Sequence, residues 1–229
     1  MKKKSFLAAD PVYREQMESY TLKDTALALV YYAMFMAAYY WMGREMVRTG
    51  NYWGEPVSAV AMLIPVLLCV KKLSGLGITL RNLKPSLLWG AAIGTVYLGL
   101  FCVIPQLSSG GQLKPARQIL YNVYYYFIII GLCEEIGFRG FIQPRLFPLF
   151  KKEWPAVIVC GVLFTLMHIP FQMTMRNMTL AEYWPRFIEN APLQFGMHFV
   201  FTWVYRRYGN IFGGTVLHGL IDMCSGLFM

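Results

Sequence analysis

A chain of 229 residues with 57% hydrophobic and 14% charged residues falls well below the roughly 25% charge of a soluble domain. That balance excludes an ordinary soluble globule and predicts an all-α, polytopic membrane bundle. The net charge of +9 does not indicate nucleic acid, because the basic residues gather in the connections between apolar stretches. Five cysteines (Cys69, Cys102, Cys133, Cys160, Cys224) make an odd count without a CxxC pair, so neither a disulfide framework nor a zinc knuckle is indicated. They read as small buried apolar residues.

Residues 1–24 form a polar N-terminal segment. Met1-Lys-Lys-Lys leads into polar residues, with no sign of a cleavable signal peptide. The segment reads either as a surface helix whose basic residues meet anionic head groups or as a solvated tail. Residues 25–229 form one membrane domain. A spanning helix needs roughly 20 apolar residues, and seven stretches come close: 25–43, 57–70, 87–105, 119–138, 155–171, 188–205 and 211–229. The second is short and carries Pro65, so it reads as tilted or re-entrant. Residues 71–86 are a basic connection, residues 106–118 a flexible loop and residues 172–187 a second loop with Tyr183-Trp184-Pro185 as an interfacial anchor.

The tail and connections carry, in order, 5, 2, 4, 2, 4, 2 and 2 basic residues, so 15 fall on one side and 6 on the other. Cytoplasmic loops carry the excess of Lys and Arg. A multi-pass protein of the cell membrane with a cytoplasmic N-terminus is expected.

Five ionisable residues lie inside apolar runs: Glu134, Glu135, His168, His218 and Asp222. Such residues are costly in a bilayer and by default mark function. Glu135 and Arg139, four apart, can pair on one helix face, while Glu134 is rotated about 100° away. The alternative is a helix end beside solvent, stabilised by all three. Phe164 and His168 share a face of the next stretch. Glu134 precedes Lys151 by 17 residues and His168 follows it by 17, so a hairpin there brings both to similar depth. His218 and Asp222 share a face of the last stretch. Gly213, Gly214, Gly219 and Gly226 let a neighbouring helix approach it closely. His198, with no carboxylate near it in sequence, reads as a packing or interfacial residue.

Glu134-Glu135-xxx-Arg139, Phe164-xxx-His168 and His218-xxx-Asp222, in this order, resemble the CPBP (Abi) intramembrane endopeptidases, a family that includes the type II CAAX prenyl endopeptidases. The resemblance covers about residues 119–229. It implies cleavage of a membrane-associated peptide or protein by a glutamate-activated water, with Glu134 as base and His168 holding the water. His218 and Asp222 would stabilise the oxyanion, with Glu135, Arg139 and Phe164 in support. The prenyl endopeptidases carry Asn where Asp222 stands. Bacterial members are associated with peptide maturation and bacteriocin immunity.

No cofactor is expected. A divalent metal held by Glu134, His168, His218 and Asp222 is the alternative, although no HExxH is present. The other rivals are a non-catalytic immunity or binding protein and a small proton-coupled transporter. The partners expected are the substrate and the lipid bilayer, with no nucleic acid.

Overall fold

The computed structural model describes residues 8–50, 54–70 and 72–229; the basic residues Lys2 to Lys4 and Lys71 lie outside them. Among the described residues the chain is helical throughout, with one isolated bridge between Leu113 and Phe228 in place of any sheet. A short α1 (Pro11–Ser19) precedes α2 (Leu22–Thr49), α3 (Gly54–Cys69), α4 (Leu83–Ser108), α5 (Ala116–Phe150), α6 (Glu153–Met175), α7 (Leu180–Tyr208) and α8 (Ile211–Ser225). The helices α2 to α8 fall on the seven apolar stretches in order. Four of them, α2, α4, α5 and α6, are long and apolar enough to cross a membrane by length and composition, while α8 and the apolar part of α3 are shorter. The helix α7 is long enough at 29 residues, but Glu189, Asn190, Gln194 and His198 dilute its apolar run.

The helix ends follow from local chemistry. Asp10 caps α1 by accepting from the backbone N–H groups of Val12 and Tyr13 at 3.0 and 3.3 Å. Thr21 with Asp24 and Thr179 with Glu182 form reciprocal capping boxes at the starts of α2 and α7. The second box corrects the expected loop over 172–187. The helix α6 runs on to Met175 and α7 begins at Leu180, so Tyr183 and Trp184 sit in its first turns, Tyr183 buried and Trp184 exposed. Lys151, in the left-handed region at φ 52°, reverses the chain between α5 and α6 and makes the expected hairpin.

The described part of the N-terminal segment, from Ala8 onward, is largely helical and anchored. Tyr13 and Met17 of α1 enter the core. Asp10 receives Arg81 at 2.7 and 2.6 Å, and its N–H donates to the carbonyl of Arg206 at 2.7 Å. Arg206 in turn grips Glu153 through two hydrogen bonds of 2.7 and 2.6 Å. Asn210 caps α8 through Phe212 N–H and donates to the carbonyls of Thr79 and Arg81. The Lys151 end of the bundle is thereby held by polar contacts.

Glycine sets the approach of α8 to α4. A Cβ at Gly213 would lie 2.4 Å from the carbonyl oxygen of Ser86, and one at Gly90 would lie 2.0 Å from that of Gly213. The two backbones touch, and this seats the last helix in the bundle.

Of the five cysteines, Cys102, Cys133 and Cys160 are buried as expected, Cys224 is half-buried and Cys69 is exposed; all are free thiols.

The contact at Gly213 makes a prediction. Gly213→Ala should lower stability by about 1–3 kcal/mol, the usual cost of overpacking, whereas Gly99→Ala, with open space around the added methyl, should be near neutral. Thermal unfolding in detergent reads both; equal midpoints for the two variants would show that the α4–α8 contact tolerates widening.

Candidate active site

The helix α5 departs from regular winding where the glutamates sit. Wide i→i+5 turns cover Tyr125–Leu132 and Ile136–Ile142, with a short α segment, Cys133–Glu135, between them. Such turns recur at functional sites because they redirect a few side chains without ending the helix. Glu134 and Glu135 therefore leave the helix in different directions and meet different partners.

Glu135 is fully buried and its Oε1 is shared. Arg139 approaches it at 3.0 Å, and His218 Nδ1 donates to it at 3.0 Å across from α8. A Cβ on residue 214 would lie 2.8 Å from Glu135 Oε2, so Gly214 makes room for this carboxylate against α8. Arg139 is also fully buried, which rules out the solvent-side helix end considered for this motif. Its guanidinium packs on the faces of Phe164 and Phe201, 4.1 and 4.9 Å from the ring centres.

The structure reassigns His198. Arg139 Nη2 lies 3.2 Å from His198 Nδ1, and a guanidinium only donates, so Nδ1 accepts. The proton is then on Nε2, which donates to the carbonyl of Val157 at 3.0 Å. Thr202 lies 3.3 Å from the same nitrogen and donates to Gln143 at 2.8 Å; Gln143 donates to Tyr13 at 3.0 Å. A polar chain thus runs from Glu135 to α1. His198 is a buried member of that chain rather than a simple packing residue.

Glu134 has a different setting. Tyr39, from α2, donates to its Oε1 at 2.5 Å. Its Oε2 is buried, has no hydrogen-bond partner among the described residues and lies 3.6 Å from His218 Nε2. His218 Nε2 is also 3.6 Å from Asp222 Oδ2. The i, i+4 pair in α8 is therefore close but not hydrogen-bonded, because the imidazole is oriented by Glu135 through its other nitrogen. Phe201 stacks on the His218 ring at 4.6 Å and fixes its plane.

His168 stands at a break in α6. Pro170 has no N–H to give, and the regular helix ends four residues earlier at Leu166. His168 Nδ1 donates to the carbonyl of Phe164 at 2.9 Å, which leaves Nε2 as the acceptor in the neutral ring. The ring of Phe164 sits 5.3 Å from that of His168 and 6.1 Å from that of His218, joining the two imidazoles to Arg139 above it.

These residues meet. Glu134, His168, His218 and Asp222 all line one cavity of about 380 Å³, together with Tyr39, Met42, Tyr125, Tyr126 and Ile130. Phe171, Gln172, Met175, Arg176 and Ser225 complete the wall, so the cavity lies in the half of the bundle away from Lys151. Glu135 and Arg139 do not line it. The donor types would suit zinc, but among the described residues no three His, Cys, Asp or Glu side chains are grouped to hold one ion. As placed, the four candidates do not form a metal cradle.

Fold and site together define a helical membrane protein with carboxylate and imidazole groups converging on one cavity. Residues 116–224 match the family model described as type II CAAX prenyl endopeptidase Rce1-like. With all three motifs inside the match, this part of the chain is similar to the type II CAAX prenyl endopeptidases, a family of proteases. No curated protein and no solved structure matches the chain.

The shared oxygen of Glu135 predicts coupling. Glu135→Gln and Arg139→Gln should each cost about 3–5 kcal/mol, the penalty for leaving one buried charge unpaired. The double variant should cost less than their sum by about 0.5–3 kcal/mol. Denaturant unfolding of the four proteins measures this, and strict additivity would refute the pairing.

Proposed function

We propose that the protein is an intramembrane endopeptidase that cleaves a membrane-associated peptide or protein with a glutamate-activated water. The observation that carries this reading is the free, buried Oε2 of Glu134 facing the cavity that His168, His218 and Asp222 also line.

In this mechanism Glu134 Oε2 takes a proton from water as the oxygen attacks the peptide carbonyl, and later returns it to the departing amine. Tyr39 holds the other carboxylate oxygen, so a single oxygen faces the reaction. His168, with Nδ1 committed to the backbone, receives a hydrogen bond from the same water at Nε2 and orients it. His218, with Nδ1–H held by Glu135, acts as the doubly protonated imidazolium and presents Nε2–H to the oxyanion, and Asp222 in its protonated form donates beside it. A carboxylic acid kept neutral by its surroundings serves other enzymes in this way.

The excess of basic residues at the Lys151 end supports a cytoplasmic N-terminus in the cell membrane. The cavity then lies in the outer half of the bilayer, and the substrate approaches from that side. Labelling of a cysteine placed at position 151 should occur from the cytoplasmic side; labelling only from outside would reverse the orientation.

The activity is tested with the purified protein in liposomes and a library of membrane-anchored peptides read by mass spectrometry. Wild type should generate new termini. Tyr39→Phe should remain folded and lose about 10- to 100-fold in turnover, because the base is no longer fixed in place. Proton-coupled uptake without cleavage would favour a transporter instead.

Asp222→Asn tests the oxyanion site. An amide donates without needing a proton, so the variant should stay active and hold its activity at alkaline pH, where wild type declines. An inactive Asp222→Asn protein rescued by zinc, beside a wild type inhibited by chelator, would replace this mechanism with a metal-dependent one.

A further inference from the structure

Three buried arginines differ in how their charge is met. Arg139 pairs with Glu135 and Arg206 with Glu153. Arg145, only 4% exposed, makes no ion pair with any described residue. Its Nη1 donates to the carbonyl of Phe141 at 3.0 Å, and its guanidinium lies 3.9 Å from the ring centre of Phe141 and 4.3 Å from that of Tyr20. Its Nε has no hydrogen-bond partner. Carbonyl and ring contacts offset part of the cost of burying a cation; an anion is what such a group ordinarily finds.

Arg145 lines a second cavity, of about 790 Å³, bounded by α1, the start of α2 and the connection leading to α4. It is separate from the candidate active site and lies at the Lys151 end of the bundle. Lys72 adds a second cation to the wall, and Ser74 and Tyr20 add hydroxyls. Arg81 also lines it but is committed to Asp10. Glu15 and Asp24 are the acidic wall residues; Asp24 is occupied in capping α2, 2.8 Å from Thr21 N–H.

The surroundings separate a lipid from a free anion. Leu68, Leu73 and Leu80 adjoin wall residues in sequence and are exposed, Leu68 and Leu80 at 81% and 84%. Bare leucines beside a cationic cavity at the head-group end of a helical bundle suit acyl chains together with a phosphate.

We propose that this cavity binds the phosphate of an anionic phospholipid, with Arg145 and Lys72 as its cationic contacts. The head group enters between α1 and the 72–81 connection, where the Arg145 guanidinium and the Lys72 ammonium donate to the phosphate. Lipid binding at this place clamps α1 onto the bundle end.

The test is binding to the full-length protein in detergent, read by native mass spectrometry and thermal shift. The probes are short-chain phosphatidylglycerol, phosphatidylcholine and inorganic phosphate. Wild type should prefer phosphatidylglycerol about tenfold over phosphatidylcholine, and Arg145→Gln should erase that preference, as loss of a charge-assisted bidentate contact requires. Equal retention of phosphatidylglycerol by wild type and Arg145→Gln overturns the site. Inorganic phosphate binding as tightly as phosphatidylglycerol overturns the lipid assignment in favour of a free anion. If Arg145→Gln does not fold, the exposed Lys72→Gln variant is read in its place. It should bind phosphatidylglycerol several-fold more weakly, and unchanged binding overturns the proposal.

Discussion

One carboxylate oxygen, Oε1 of Glu135, organises the site: Arg139 reaches it along α5 and His218 reaches it from α8. A buried carboxylate is tolerated only when paired and hydrogen-bonded, and here one atom answers for a cation and an imidazole together. The consequences spread outward. Arg139 must lie between Phe164 and Phe201, His198 must present an unprotonated Nδ1, and His218 must turn Nε2 towards the cavity.

That arrangement separates two adjacent glutamates by role. Glu135 is consumed by structure, while Glu134 keeps one oxygen bonded to Tyr39 and the other unbonded beside the imidazole. The wide turns on either side of Cys133–Glu135 allow neighbouring residues to serve such different partners. The backbone contact at Gly213 belongs to the same design, since His218 can reach Glu135 only if α8 is seated close against the bundle.

Much of this was legible in the sequence because it is periodic or local. The Glu135–Arg139 pair and the Phe164–His168 face follow from i, i+4 spacing, and the shared cavity follows from equal offsets about Lys151. What escaped depends on contacts between distant segments. Tyr39 is one aromatic among many in α2, and nothing near it in sequence signals a carboxylate. His198 becomes a polar partner only when α7 is placed beside Arg139. The choice of Glu135 over Asp222 by His218 was hidden because spacing along α8 favours Asp222, while the hydrogen bond crosses between helices. The loop expected over 172–187 failed for a local reason that was available: Thr179-x-x-Glu182 is a helix start.

The central claim is that Glu134 acts on peptide bonds rather than on packing. Comparative peptidomics of cells carrying wild type or Glu134→Gln, at matched amounts of folded protein, tests it most directly. The account predicts at least one membrane-associated peptide that is cut with wild type and accumulates intact with Glu134→Gln. Identical peptide profiles from the two strains, with the wild-type phenotype preserved, would contradict it.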